Sequence, residues 1–431
     1  RRKMLSSYKH SIILSALIMF IGIGTLIVAR HPALHSLAEV TIAGMFSVVL
    51  MAYIFPPLIF NFLVRSGGKY RTRPVSIRRL SVMGLCALVF FVQLASVYVL
   101  GFLLLGLLPW SEKRCAWLRQ YQQRLFLFDL RHIPYVRFHV EGITQETFGT
   151  ASVVICNHQS MLDAAVFMAL SPRTVLVSNG KVSRNRIIRQ VYKWNGFITL
   201  DDKDAINDSL MRKYIAQGYS LVIFPEGKRN ARSSICRFHK GAFLLAECYQ
   251  LDIQPFIIHG LNAVLPRNSI QVFPGTITVK AYRRVRQDGH TAYPELTSRV
   301  HGFYKQEYEK LARKMETAAY FTPLVEDRYR YKGVEISRSV GRNLRRNGSF
   351  ARWVDTAEEY SAVLILNKDH GEFSLLYALV HPSMLVMVRE EDGNRRALLT
   401  YCAKGIADNL RVVDKADIGE AEEAGVKVIS L

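Results

Sequence analysis

Acidic residues are scarce in this 431-residue sequence: 35 Asp and Glu stand against 57 Lys and Arg, a formal net charge of +22. Residues 1–111 hold one acidic side chain, Glu39, against eleven basic ones. Cysteine is sparse too. Cys86, Cys115, Cys156, Cys236, Cys248 and Cys402 form no Cys-x-x-Cys pair and join no His-rich cluster. That excludes a structural zinc motif and fits a reducing compartment. There is no Gly-x-Ser-x-Gly elbow, which argues against an acyl-serine intermediate, and no ligand set for a metal. No nucleic-acid-binding motif accompanies the charge, so no nucleic-acid partner is expected. The sequence opens on Arg1 without a methionine and reads as a piece of a longer protein, with no signal peptide. What is present is apolar: half of the residues are hydrophobic, more than is usual for so basic a soluble enzyme.

The apolar residues and the early positive charge share one region. Ser11 to Ala29 is uncharged and about as long as a bilayer-spanning helix. Glu39 to Val64 is a second such run, interrupted by Pro56 and Pro57. Arg1, Arg2 and Lys3 precede the pair, and RSGGKYRTRPVSIRR, with six basic residues and no acid, follows it. The excess of cations at both outer ends places those ends on the cytoplasmic side. The expectation is a multi-pass protein of a bacterial inner (cytoplasmic) membrane with its soluble part in the cytoplasm. A third apolar run, Ser81 to Trp110, would put everything after it outside if it crossed once. Its Gly101, Gly106, Pro109 and Trp110 suit a bent hairpin or an interfacial segment instead. The words HPALHSLAEVTIAGMFSVVLMAYIFPPLIF resemble the last two helices of resistance-nodulation-division type lipid exporters. That likeness covers residues 1–64 and implies a parent transporter portion in the same polypeptide.

After Trp110 short apolar runs alternate with amphipathic stretches, an α/β pattern. SVVICNHQSMLD starts as a buried strand and places Asn157 and His158 where the strand stops; Asp163 follows in the first turn of a helix. A carboxylate there can hold the imidazole Nδ1 and leave Nε2 free to take a proton from an alcohol. Alone, that pair reads as a satisfied turn histidine. A second element shifts the balance: SLVIFPEGKRN again runs a strand into a turn, carrying Glu226, Gly227, Lys228 and Arg229. Glycine admits close backbone approach, and the cations suit a phosphate. Polar turns at the ends of strands in one α/β sheet converge on one crevice.

Asn157-His158-x4-Asp163 followed by Phe224-Pro225-Glu226-Gly227-x-Arg229 resembles the lysophosphatidic acid acyltransferases, over residues 80–290 or so. The resemblance implies a glycerolipid acyltransferase αβ domain. It makes His158 the general base and Asp163 its support, with Asn157, Glu226, Gly227, Lys228 and Arg229 on the acceptor and the arginine on its phosphate. Supporting segments place Lys181 between the two motifs, Lys240 in a Phe-x-Lys-Gly-Ala segment near the crevice, and Pro255 on the acyl-side wall. Asp201-Asp202 stand where many relatives carry a phosphate-contacting arginine. Acyl-CoA or acyl carrier protein enters as co-substrate; no cofactor is implied. The oxyanion is expected to find backbone N–H donors near the second motif. His239, His259 and Cys156 read as packing residues. From Arg173 to Lys193 six basic residues interleave with Ile187, Ile188, Val191, Tyr192 and Trp194, with no acid, which suits docking on membrane lipids.

The remaining chain changes character. Residues 295–327 read as a helical linker. From Arg328 the pattern strand, loop, helix, strand resembles the start of a Rossmann-like S-adenosylmethionine methyltransferase, but Asn367, Lys368, Asp369 and His370 fill the loop that should be glycine-rich, and Gly371 alone remains. A degenerate or structural domain is expected there. The organisation is therefore 1–80 transmembrane exporter remnant with a basic flank, 81–111 hairpin or interfacial segment, 112–294 acyltransferase domain, 295–327 linker and 328–431 partial Rossmann-like domain. The leading function is O-acyl transfer to a lysophospholipid-like acceptor. The alternatives are a transporter terminus with a non-catalytic lipid-binding module and an S-adenosylmethionine methyltransferase.

Overall fold

The structure, a computed structural model, describes residues 2–28, 31–66, 69–71, 73–179, 190, 194, 197–200, 209–230, 234–266, 269, 271–357, 360–413 and 426–430. The chain divides into two units, Arg1–Ser76 and Ile77–Leu431.

In the first unit α1 (Arg2–Ile27) and α2 (Pro32–Val64) pack against one another, and the chain then turns through a small antiparallel hairpin, β1 (Arg65–Ser66) with β2 (Lys69–Tyr70). Pro32 opens α2, where its missing N–H costs nothing. Pro56 and Pro57 lie inside α2 and do not end it. Both helices are long and apolar enough to cross a membrane, and they turn side chains such as Ile18 and Val40 outward.

In the second unit the hairpin expected over 81–111 is absent. One helix, α3 (Ile77–Gly101), continues through a π-turn at Phe102–Gly106. Gly101 is a packing position, not a bend: a Cβ there would fall 2.5 Å from the Trp194 ring. This helix too has the length and apolarity to span. It is nevertheless fastened along its length to the rest of the unit. Arg79 in its first turn pairs with Asp327 at 2.8 Å, Ser96 bonds Tyr121 at 2.9 Å, and its last residue meets Trp194.

The central sheet contains β3 (Val136–Glu141), β4 (Val153–Cys156), β5 (Thr174–Asn179), β6 (Ile198–Leu200), β7 (Ser220–Ile223), β8 (Ile253–His259) and β9 (Gly275–Ala281), in the order β3-β9-β8-β4-β7-β5-β6. Neighbours are parallel except β8 and β9. β4 and β8 are buried at every position, as central parallel strands with both faces covered must be. One face carries α4 (Glu112–His132) and α5 (Asp163–Leu170), through Leu130, Val166 and Phe167 against Val154, Val222 and Phe256. The other carries α6 (Ser209–Ala216), α7 (Gly241–Cys248) and, after the short α8 (Leu261–Val264), α9 (Tyr293–Met315).

The expected linker over 295–327 is thus a correction. Leu296, Val300, Tyr304, Tyr308 and Leu311 of α9 form one buried stripe on the sheet. The fully buried Tyr304 hydroxyl donates to Ile155 O at 2.7 Å and accepts from Phe256 N at 3.1 Å, so it bridges β4 and β8 beside Pro255, which has no N–H to give. α10 (Ala318–Tyr329) belongs instead to the core of the last region, with Val325 and Tyr329. That core includes α11 (Val334–Arg346), α12 (Gly348–Thr356), α13 (Glu372–Val380) and α14 (Gly393–Ala403) around a parallel sheet. Its strands are β10 (Ala362–Leu366), β11 (Leu385–Arg389), β12 (Leu410–Val413) and β13 (Lys427–Ser430), ordered β12-β11-β10-β13.

Candidate active site

β4 stops at Cys156 because the next residue turns its side chain onto a neighbouring strand. Asn157 Nδ2 donates to Ile258 O at 2.8 Å and its Oδ1 accepts from Ile258 N at 2.8 Å. The side chain is buried and both its amide atoms are engaged. Asn157 is therefore a brace that fixes the strand end against β8, not the acceptor contact expected of it.

His158 follows, with its Nδ1 2.6 Å from Asp163 Oδ2. That same oxygen accepts from Gln159 N at 2.7 Å and Ser160 N at 2.9 Å, so the carboxylate is fixed before the imidazole docks on it. Asp163 is wholly buried, whereas the His158 side chain keeps 22% exposure. With Nδ1–H directed to the carboxylate, Nε2 carries the lone pair. Phe224 stacks on the ring, centroids 4.5 Å apart, which restricts its rotation.

The second motif closes on the first through the backbone. Glu226 Oε1 accepts from His158 N at 3.1 Å and Oε2 from Cys236 N at 3.2 Å, and Asn230 N donates to His158 O at 2.7 Å. Glu226 is buried, and burial pushes its carboxyl above the ordinary value, opposed by the His158 and Cys236 amides. It clamps the two turns, with one carboxylate oxygen on each backbone amide. Gly227 has φ +65, the left-handed region glycine favours, and a Cβ there would press on His239 at 3.0 Å.

Lys228 is exposed and Arg229 half-buried, next in sequence to the Asn230 amide that holds His158. The geometry thus brings Arg229 beside the histidine turn. Lys240 is exposed at the start of α7, and its neighbour His239 ties that segment to the second turn by donating its amide to Pro225 O at 2.7 Å. Pro255 is buried inside β8, opposite Ile155, so it is core and not a wall open to substrate. Lys181, Asp201-Asp202 and most of the cationic stretch from Arg173 to Lys193 lie outside the described residues.

The backbone amides of Gly227, Asn230, Cys236 and His239 are committed to internal bonds. Among the described residues of the second turn, the amides of Glu226, Lys228 and Arg229 carry no such bond. Cys156 is buried, and burial, then Asp163 and Glu226, push its thiol well above the usual range, which disqualifies it as a nucleophile. His259 is buried with Nε2 3.0 Å from Glu316. Among the described residues no three His, Cys, Asp or Glu side chains gather as a metal-binding group.

Sequence reasoning missed the stacking of Phe224, the Asn230 contact and Gln159, which donates to Tyr308 Oη at 2.9 Å and accepts from Leu261 N at 3.2 Å. The first two lay inside the motifs; the third depends on α9 being part of the domain.

Residues 137–259, which run from β3 to the end of β8 and include both motifs, match the family model described as Acyltransferase. The chain is 28% identical over 218 residues to the 1-acyl-sn-glycerol-3-phosphate acyltransferase of Cocos nucifera, across 48% of this chain and 68% of that protein. It is 28% identical over 186 residues to the enzyme of that name from Helicobacter pylori, across 40% of this chain and 78% of that protein. A crystal structure of the 1-acyl-sn-glycerophosphate acyltransferase PlsC from Thermotoga maritima aligns with TM-score 0.47 and 19% identity, over 55% of this chain and 96% of that one. The region around His158 is an acyltransferase domain, and the chain is an acyltransferase of lipid metabolism.

Proposed function

We propose that the chain transfers an acyl group from a thioester, acyl-CoA or acyl carrier protein, to the hydroxyl of a lysophosphatidic acid or a closely similar specialised lipid. The observation that carries this reading is the 2.6 Å His158–Asp163 pair, set at a strand end with Nε2 unencumbered. As the acceptor oxygen attacks the thioester carbonyl, Nε2 takes its proton and Asp163 stabilises the imidazolium. A C–O bond forms, the C–S bond breaks, and the proton passes from Nε2 to the departing thiolate. Lys228 and Arg229 supply charge for the acceptor phosphate. The relatives' names support the acceptor class.

The same proposal seats α3 on one leaflet. A helix held near both ends by Asp327 and Trp194, with Leu85, Leu88, Phe91 and Val92 turned outward, suits an interfacial position better than a perpendicular crossing. That keeps the active site on the cytoplasmic side assigned by the basic flanks, with α1 and α2 as the end of an exporter that receives the acylated lipid. The last region, read as partial Rossmann-like, is structural in this proposal: Asn367 Nδ2 donates to Glu390 Oε2 at 2.6 Å, so the acidic side chain after β11 is engaged within the fold.

The test supplies the reconstituted full chain with labelled acyl-CoA and acyl carrier protein thioesters against a panel of lysolipids, beside His158→Ala. Transfer to lysophosphatidic acid that vanishes in the variant is expected. Equal transfer by both proteins, or none to any acceptor, refutes the proposal.

A further inference from the structure

Asp163 orients His158 through one oxygen. Its Oδ2 accepts from His158 Nδ1 at 2.6 Å, from Gln159 N at 2.7 Å and from Ser160 N at 2.9 Å. Its Oδ1 is buried and meets no donor among the described residues. A carboxylate held at a single oxygen can swing about it, so the direction of the imidazole depends on the backbone amides that fix that oxygen.

The Gln159 amide is itself fixed from elsewhere in the fold. The Gln159 side chain is buried and engaged at both ends: Oε1 accepts from Leu261 N of α8 at 3.2 Å, and Nε2 donates to Tyr308 Oη of α9 at 2.9 Å. Tyr308 is buried too, and its ring packs against His259, centroids 5.8 Å apart. Deleting the tyrosine hydroxyl would take away this partner of a buried amide, which favours a shift of the Gln159 side chain. The backbone N–H of the same residue would move with it, away from Asp163 Oδ2.

One turn earlier on α9, Tyr304 provides a control. Its buried hydroxyl also serves two partners, Ile155 O and Phe256 N, but both belong to the body of the sheet. Truncating either tyrosine therefore removes a comparable buried bond, and one of the two bonds lies on the residue that follows His158.

We propose that Tyr308 is a positioning residue for acyl transfer: through Gln159 it fixes the Asp163 oxygen that aims His158 Nε2 at the acceptor hydroxyl. It lies outside the residues 137–259 that match the acyltransferase family model. This rests on the acyl-transfer reading with His158 as the base.

The experiment measures kcat, KM and melting temperature of the reconstituted full chain with lysophosphatidic acid and labelled acyl-CoA and acyl carrier protein thioesters. Tyr308→Phe and Tyr304→Phe should both melt earlier. At a temperature well below either transition, Tyr308→Phe should lower kcat about tenfold, because small displacements of a base are costly, with both KM values within about twofold of the wild type. Tyr304→Phe should keep the wild-type kcat. In a Gln159→Met background, which cuts the same link from its other end, Tyr308→Phe should lower kcat no further. If Tyr308→Phe does not fold, Gln159→Met alone provides the comparison with Tyr304→Phe. A wild-type kcat in folded Tyr308→Phe overturns the inference while transfer itself stands, as does an equal loss in Tyr304→Phe or a full further loss in the double variant. Wild-type turnover of no donor removes the acyl-transfer reading and this role of Tyr308 with it.

Discussion

Two sheets in this chain, one mostly and one wholly parallel, end a buried strand in a polar turn, and the two turns have opposite fates. After β4, the Asp163 carboxylate takes the Nδ1 side of His158 and leaves the other nitrogen available. After β10, the polar groups close on each other. Glu390 receives Asn367 Nδ2 on one oxygen and Asp392 N on the other, and Glu372 receives Asn343 Nδ2 at 2.8 Å and His370 N at 3.0 Å. Gly371, at φ +84, gives room to Leu399, which a Cβ would meet at 2.7 Å, so that glycine serves helix packing. In the proposed reading, comparable topology thus supports chemistry in one sheet and architecture in the other. What separates them is whether a reactive atom remains uncommitted once the buried polar groups are satisfied.

The most severe way to break this contrast is to remove the histidine from each turn. His158→Ala should lower kcat about 10³-fold or more, and Asp163→Asn about 10²-fold or more, because general-base catalysis and its orienting partner are lost. His370→Ala should leave labelled acyl transfer within about twofold of the wild-type rate. If His370→Ala slowed turnover as much as His158→Ala, the second turn would have to be counted as part of the active site.

A second test sharpens the contrast through two buried carboxyls, Glu226 and Glu372, each raised above its ordinary value mainly by burial. For such a group the folded state holds the proton more tightly than the unfolded one. Its stabilising contribution is full below the unfolded value and is lost as pH rises through the folded value. The rate should run the other way at Glu226, since the ionised carboxylate is the form that accepts from both His158 N and Cys236 N. The kcat profile should therefore carry an acid limb displaced above the ordinary glutamate range. Glu226→Gln should abolish that limb and cost about ten- to a hundredfold, because an amide cannot accept on both sides. Glu372→Gln should alter the pH dependence of the melting temperature and leave the shape of the rate profile unchanged. A rate profile of Glu226→Gln that matches the wild type would discard the clamp.

How much of this was legible in sequence follows from the range of the contacts. The His158–Asp163 pair could be read because a strand end and the first turn of the next helix bring residues five apart together. The clamp by Glu226 could not, since it reaches 68 positions along the chain, nor could the brace by Asn157, which reaches 101. Glu226 and Asn157 were consequently given to substrate when the fold itself uses them. The stripe Leu296, Val300, Tyr304, Tyr308 and Leu311 has visible helical spacing, yet its sequence does not disclose which sheet it covers, and α9 read as a linker. Gly101 read as a bend because its partner, Trp194, is remote in sequence. The second sheet was legible as alternating strands and helices; its self-satisfied turn became apparent only from the side-chain partners of Asn367 and Glu390.

The gentlest test falls on that turn. Asn367→Ala would leave Glu390, 5% exposed, with the Asp392 amide and without the 2.6 Å donor on its other oxygen. Losing one hydrogen bond to a buried carboxylate should lower the unfolding free energy by about 1–3 kcal/mol, read as an earlier midpoint in denaturant with an unchanged slope. Acyl transfer at a temperature well below that transition should not change, because Asn367 lies in the second sheet and touches none of the groups around His158. A rate that fell together with stability would mean that the closed turn is coupled to the open one. The route for that coupling would be α10, whose Asp327 binds Arg79 at 2.8 Å and Arg330 at 2.9 Å and so ties the second sheet to α3.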